Sequence, residues 1–412
     1  MKTLKRQIAH WLYAAESLAQ IENMASSTAW EGLQSATALL MKNYLNKNIS
    51  NLVAKGKHLQ QQLQHGGTAA LQQQLRKAVL RFKADFLRIE TTIHFYTDAI
   101  NTRTVKETAM LLKGCDELCR ECMQLFLPPQ QKAIPPVITY LDKGLGAAIM
   151  KAGLRLWDGS ISPAALIKIT YHNLRRPTAV LHECGHQIAH LLNWNAELSK
   201  TLYEGLKEKD ETVAKAFSKW SSEIAADAIA LTTTGFAAVA ALYDVLDAEG
   251  EAVFYYDEGD PHPVSFLRVL LNCAMCTCLF GKGPWNEMEL QWQSNHPLNG
   301  SDENAMQVIK KSIPFLPQIA ALILKEKQHA FGNKSIAAAI DINKVSPATL
   351  GKMNEVLLAH PAMINEYSNL QVVALTGYKI GTGLADPEKE MDAMKLHLIK
   401  MAKQYLYNHS QN

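Results

Sequence analysis

The sequence predicts a mainly α (α+β) fold, and three observations point to it. In the first part of the chain Leu71, Leu75, Phe82, Phe86, Ile89, Ile93, Tyr96 and Ile100 recur at steps of three, four and seven, a coiled-coil-like helical seam. Strand-compatible runs are few and short: Leu145 to Met150 and Ala164 to Thr170, with Trp157-Asp-Gly-Ser as a turn between them. Past about residue 300 the pattern is helical again and ends in an amphipathic stretch from Glu388 to Tyr407. With 412 residues, 48% of them hydrophobic, the chain is long enough for two or three domains with substantial cores.

Taken in order, the elements begin with Met-Lys-Thr-Leu-Lys-Arg, which has the look of a signal-peptide start. His10, Glu16 and Glu22 interrupt the apolar core such a peptide needs, so an amphipathic helix is expected instead. Gly66-Gly67-Thr68 reads as a turn plus helix N-cap, and Pro128-Pro129 with Pro135-Pro136 as a boundary. Three regions follow: a helical bundle over 1–130, a central region over 131–300 that holds the short strands, and a helical C-terminal region over 301–412. The most apolar runs, Ala228 to Tyr243 and Val269 to Gly281, are short of a membrane span and broken by Thr, Asn and Gly. They are expected as buried helices, and no membrane span is expected.

Acids and bases are interleaved and the net charge is +3, so nothing calls for nucleic acid or an anionic membrane surface. Seven cysteines, an odd number in clusters, do not make a disulfide framework and suit the cytoplasm. Cys115-x-x-x-Cys119-x-x-Cys122 has the spacing of a radical-SAM cluster motif. The same thiols, however, continue a helical stripe with Ala109, Leu112 and Phe126, and no barrel-like strand pattern surrounds them. They are read as core residues, as are Cys184, Cys273, Cys276 and Cys278.

The chemistry gathers in Leu181-His182-Glu183-Cys184-Gly185-His186. In a helix His182 and His186 project from one face and can close on one metal, while Glu183 lies beside them, placed to deprotonate a metal-bound water. Val180, Leu181, Ile188, Ala189, Leu191 and Leu192 make this helix apolar around most of its circumference. H-E-x-x-H alone would arise by chance in a chain this long about a few per cent of the time. A second helix removes the ambiguity. From Trp220 to Leu231 the only charges are Glu223 and Asp227, four apart, with no Lys or Arg to neutralise them. Two buried acids need a cation and the histidine pair needs a third ligand. One zinc site meets both needs, with Glu223 as ligand and Asp227 accepting from a ligand histidine. A metzincin would require a histidine where Leu192 stands. His190, four beyond His186, is the rival third ligand, but choosing it leaves Glu223 and Asp227 unexplained.

These residues resemble the gluzincins, thermolysin-like zinc metallopeptidases with H-E-x-x-H followed by E-x-x-x-D on a later helix. The resemblance covers roughly residues 137 to 300, at the level of motifs. It implies a zincin-like catalytic domain over 131–300 with His182, His186 and Glu223 as Zn2+ ligands, Glu183 as general base and Asp227 orienting His182. Glu223-Ile-Ala-Ala-Asp227 with Asp260-Pro-His262-Pro263 and Arg268 looks more like the CAAX-prenyl-protease and heat-shock-protease branch than like thermolysin. Two departures stand out: a long interval between His186 and Glu223, with room for a helix around Asn195 to Lys209, and no clear membrane span. The resemblance also implies a small sheet ahead of the motif helix whose edge binds extended peptide, and Ala165 to Thr170 is assigned to that edge.

The expected function is therefore zinc-dependent hydrolysis of peptide bonds in a peptide or protein substrate. The aminopeptidase signature Gly-Ala-Met-Glu-Asn is absent from Gly146-Ala-Ala-Ile-Met150, which favours an endopeptidase. The alternatives are a narrowly targeted cytosolic regulatory protease and a helical interaction protein with a structural or silent zinc site, its partner bound through the N-terminal region. His262, held between two prolines, is the candidate oxyanion donor, with Tyr255 and Tyr256 in reserve. Arg268 is expected to pair with Glu223 or Asp227, because an unpaired buried guanidinium is too costly.

Overall fold

The computed structural model describes residues 1–64, 68–144 and 146–409 and is mainly helical with one small sheet, as the sequence predicts. Helices α1 (Lys2–Ser17), α2 (Ser27–Glu31), α3 (Ser35–Gln62) and α4 (Ala69–Asn101) build a first hydrophobic core. The first segment is the amphipathic helix expected, burying Ile8, Leu12 and Ala15. On α4 the seam holds at Leu75, Phe82, Phe86, Ile93, Tyr96 and Ile100, all buried, while Leu71 in the first turn is exposed. Thr68 caps α4 by accepting from the Leu71 N–H at 3.4 Å; Gly66 and Gly67 lie outside the described residues.

The sheet consists of β1 (Val137–Leu141), β2 (Ala148–Met150) and β3 (Ala165–Ile169), in the order β1-β3-β2. β3 runs parallel to β1 and antiparallel to β2. The edge assignment of Ala165 to Thr170 is therefore corrected: β3 is the central strand, and β2 is the edge on the side of the motif helix. The reason lies in burial on both faces. Leu166 and Ile138 point into the first core, whereas Ala165, Ile167 and Ile169 point into a second, and a strand covered on both sides reads as a continuous apolar run. Leu145, the start of the expected strand around β2, lies outside the described residues.

The second core runs from Leu111 on α5 (Lys106–Phe126) to Met401 near the C-terminus. Its central helices are α6 (Thr178–Leu191), α7 (Trp194–Leu206), α8 (Glu211–Lys219), α9 (Ser221–Thr234), α10 (Phe236–Leu246) and α11 (Ser265–Phe280). Around them come α12 (Pro284–Asn295), α13 (Glu303–Ser312), α14 (Leu316–Lys325), α15 (Ile336–Ala339), α16 (Pro347–Ala359), α17 (Asn369–Gly381) and α18 (Pro387–His409). The apolar run from Ala228 to Tyr243 is two helices, broken at Gly235, whose positive φ of 59° lets the chain turn and whose α-carbon faces the Val345 carbonyl. α18 lies along α5 and α17 along α10, so the C-terminal helices and α5 share the central region's interior.

The thiols of Cys115, Cys119 and Cys122 are fully buried among Leu112, Leu118 and Met123 on α5, and all seven cysteines are free. Between the two cores Arg103, wholly buried, donates to the Gly32 carbonyl at 3.1 Å, the Thr139 carbonyl at 2.7 Å and Asp116 at 2.9 Å. No helix among the described residues is long and apolar enough to cross a membrane.

Candidate metal centre

α6 carries the motif. Val180, Leu181, Cys184, Ile188 and Ala189 are wholly buried and fix its orientation, so His182, Glu183 and His186 turn toward a cavity of about 850 Å³. The two imidazoles meet edge to face with ring centroids 4.8 Å apart, as residues four apart on a helix should. α9 packs along α6 and presents Glu223, in its first turn, to both rings. Glu223 Oε2 is 3.3 Å from His182 Nε2, and Oε1 is 3.1 Å from His186 Nε2.

These separations test whether a metal fits. In a tetrahedral site with bonds of about 2.0–2.1 Å, neighbouring donor atoms lie about 3.3 Å apart. Each histidine–carboxylate separation is close to that length, the two reaching different oxygens of Glu223, and the ligand atoms of His182, His186 and Glu223 all fall within 4.8 Å of one another. Among the described residues this is the cluster of His, Cys, Asp and Glu that can hold a metal ion; His190 and the cysteines are not part of it.

Around the three ligands the polar groups interlock. His182 Nδ1–H donates to Asp227 Oδ1 at 2.8 Å, which turns Nε2 toward the ligand position. Arg268, reaching in from α11, forms a two-pronged pair with Asp227, Nε to Oδ2 at 2.7 Å and Nη2 to Oδ1 at 2.8 Å. Its Nη2 also lies 3.2 Å from Glu223 Oε2, so both partners proposed for it are engaged. Two positioning groups escaped the sequence reading. Asn272, one turn beyond Arg268, donates to Asp227 Oδ2 at 3.2 Å, and Ser222 Oγ lies 3.3 Å from His186 Nδ1. The spacing of Asn272 from Arg268 was the available signal for the first; Ser222 offered none beyond standing next to Glu223.

Burial opposes charge on every acid here, and the neighbours decide the outcome. Burial raises Glu223, but hydrogen bonds from His182 and His186, then the Arg268 charge, outweigh it and hold the carboxyl well below its usual range. Asp227 is likewise penalised by burial and likewise lowered, by Arg268 first and His182 second. Burial lowers His182, yet its hydrogen bonds to Asp227 and Glu223 prevail and raise it to about 10. Glu183 has no such bonds. Burial pushes its carboxyl up, only partly offset by the charges of His182 and His186.

The cavity rim brings in His262 from the Pro261–Pro263 turn. Its Nε2 is 3.7 Å from Glu223 Oε1, and its Nδ1 is held by Asp260 Oδ1 at 2.6 Å. Tyr255 is exposed and Tyr256 packs edge-on against Trp220; neither lines the cavity. The lining also includes the small and apolar Ala230, Ala238, Ala241 and Leu242, together with Ala147, Ala148 and Ile149 at β2.

No known protein family matches the chain, and no curated protein or solved structure matches it.

Proposed function

We propose that the chain is a zinc-dependent peptidase with a gluzincin-like catalytic core, hydrolysing peptide bonds of a protein or peptide substrate. The observation that carries this reading is Glu183: a buried carboxylate that lines the cavity beside the donor cluster and has no hydrogen-bond or ion-pair partner among the described residues. A site that only stabilises a fold needs ligands and no free base, and it closes its fourth position. Here three protein donors face a cavity. Two imidazoles and one carboxylate form a borderline donor set that suits zinc.

When bound, zinc supplies Lewis acidity, which polarises a peptide carbonyl and makes an adjacent water more acidic. The residues do the rest. Glu183 takes a proton from the attacking water and returns it to the nitrogen as the carbon–nitrogen bond breaks. His262, steadied by Asp260, donates its Nε2–H to the oxygen on which charge develops. Arg268 and Asp227 keep His182 and Glu223 in place. β2 has one unpaired edge and lines the cavity, so an extended peptide can add to it as a further antiparallel strand. Free, buried thiols suit a reducing compartment such as the cytoplasm.

The test is a pair of measurements on the purified protein. Metal analysis should find about one zinc per chain, lost in His182→Ala, His186→Ala and Glu223→Ala but kept in His190→Ala. Glu183→Gln should retain zinc and thermal stability while cleavage of proteome-derived peptides drops roughly a hundredfold to ten-thousandfold. Equal cleavage by wild type and Glu183→Gln sinks the reading.

A further inference from the structure

Lys151 is a cavity charge to which the peptidase reading assigns no task. It stands one residue past β2, is half-buried and lines the same cavity as Glu183, and its ammonium has no hydrogen-bond or ion-pair partner among the described residues. Of the other cations there, Arg268 is paired with Asp227 and Glu223, and Arg176 pairs with Asp244 through Nη1 while its buried Nη2 has no partner among the described residues. Nor is its backbone free to carry the side chain elsewhere. The Ala152 N–H donates to Gln187 Oε1 at 2.8 Å, and the Gln187 amide returns to the Ala152 carbonyl at 3.5 Å. Gln187 is wholly buried and directly follows the ligand His186, so the root of Lys151 is fastened to the metal-binding helix.

Partial burial works against the ammonium, and the carboxylates of Glu223 and Glu183 work for it, without either coming into contact. A half-buried cation with no protein partner loses part of its hydration, and an anion entering the cavity would offset that loss with a charge-assisted hydrogen bond. The same lining includes Ala230, Ala238, Ala241 and Leu242, small and apolar side chains that can take an apolar group. The cavity thus offers a cation at the end of β2 together with apolar lining.

We propose that Lys151 is a substrate anchor, holding a carboxylate of the peptide that lies along β2, so that the protein selects peptides with a carboxylate close to the bond cut. This rests on the peptidase reading. The carboxylate has two sources, an Asp or Glu side chain or a free C-terminus, and both present the same chemistry to the ammonium.

The experiment uses random octapeptide pools, one with free C-terminal carboxylates and one amidated. They are passed over immobilised full-length Glu183→Gln protein loaded with zinc and, in parallel, digested by the wild type. Peptides retained on the column should be enriched about tenfold or more in carboxylates, the scale of one charge-assisted bond. Enrichment restricted to the non-amidated pool assigns the C-terminus; enrichment in Asp and Glu in both pools assigns the side chain. Introducing Lys151→Met into the column protein should abolish the preference, Lys151→Glu should turn it toward basic peptides, and Lys151→Arg should keep it. Zinc content and melting temperature of each variant guard against misfolding. An unchanged preference in a folded Lys151→Met protein overturns the proposal. So does an equal loss for all peptides, which would mean that Lys151 only tunes Glu183. The two readings fail separately: retention with the carboxylate preference but no cleavage sinks the peptidase and leaves the anchor, cleavage without preference does the reverse, and neither binding nor cleavage sinks both.

Discussion

His182 is the residue at which a bound metal and a proton would compete. It gives Nδ1–H to Asp227, and its Nε2 faces Glu223 and the Arg268 guanidinium, 3.4 Å away. Without metal the ring is protonated up to about 10, because the hydrogen bonds to Asp227 and Glu223 outweigh burial. Only the form with a free Nε2 lone pair binds a metal. If zinc is the metal, as proposed above, its loading near neutral pH would have to expel that proton, and affinity should rise with pH. We expect roughly one proton released per zinc bound, measurable by titration calorimetry in buffers of different ionisation enthalpy. Asp227→Asn removes the carboxylate that raises the ring. Proton release should shrink in that variant, while zinc affinity should fall roughly tenfold to a hundredfold because Nδ1 is no longer held by a charged acceptor. Release that is unaltered in Asp227→Asn would show that the proton comes from elsewhere.

At the scale of elements the site is a contact between two helices, α6 and α9, brought close by small residues. Gly185 lies between the two histidines, and a β-carbon built there would stand 2.9 Å from both the Cα and the carbonyl oxygen of Ala226. Backbone cannot step aside as a side chain can, so Gly185→Ala must spread the helices. Spreading withdraws Glu223 from His182 and His186, which it now meets at 3.3 and 3.1 Å. We expect a stability loss of about 1–3 kcal/mol and a larger proportional loss of zinc affinity, read by chemical denaturation and metal competition. A variant that binds zinc as wild type does would show that the contact is looser than described.

The same contact explains what the sequence made legible. His182 with His186, and Glu223 with Asp227, are i, i+4 pairs, and helical geometry alone puts each pair on one face. Their charge in apolar surroundings marks them as needing one another, and the lone Arg268 in an apolar helix announces a buried partner by the same logic. The mainly α fold was legible from periodicity for the same local reason. Strand order was not, because β3 is central only by virtue of two cores formed by residues far away in the chain. Gly185, Ser222, Asn272 and Lys151 were also invisible: each is an ordinary residue in an ordinary place until a neighbouring element gives it a distance.

For the whole molecule the sheet is the shared wall. Its one face closes the N-terminal core and its other face the core that carries the site, with Arg103 bonded across the junction. The second core is completed from the opposite end of the chain by α18, which packs on α5 and reaches the cavity through Met391. α18 is fastened to α17 by His397, whose Nε2 lies 3.0 Å from Asn369 Oδ1 while its buried Nδ1 has no partner. That geometry requires a neutral ring, with Nε2–H donating and Nδ1 unprotonated. Burial, with a smaller contribution from Lys400, lowers the pKa of His397 to about 4 from 6.5. The unfolded chain therefore takes up the proton first as pH falls. The stability that His397 contributes is fully present above about 6.5 and is lost progressively as pH drops toward 4, by up to about 3 kcal/mol. Denaturant midpoints measured across this window should decline in the wild type. In His397→Gln, which keeps a donor for Asn369 but cannot titrate, the decline should be shallower by most of that amount. Parallel pH profiles for the two proteins would mean that the closure of α18 is not governed by this ring.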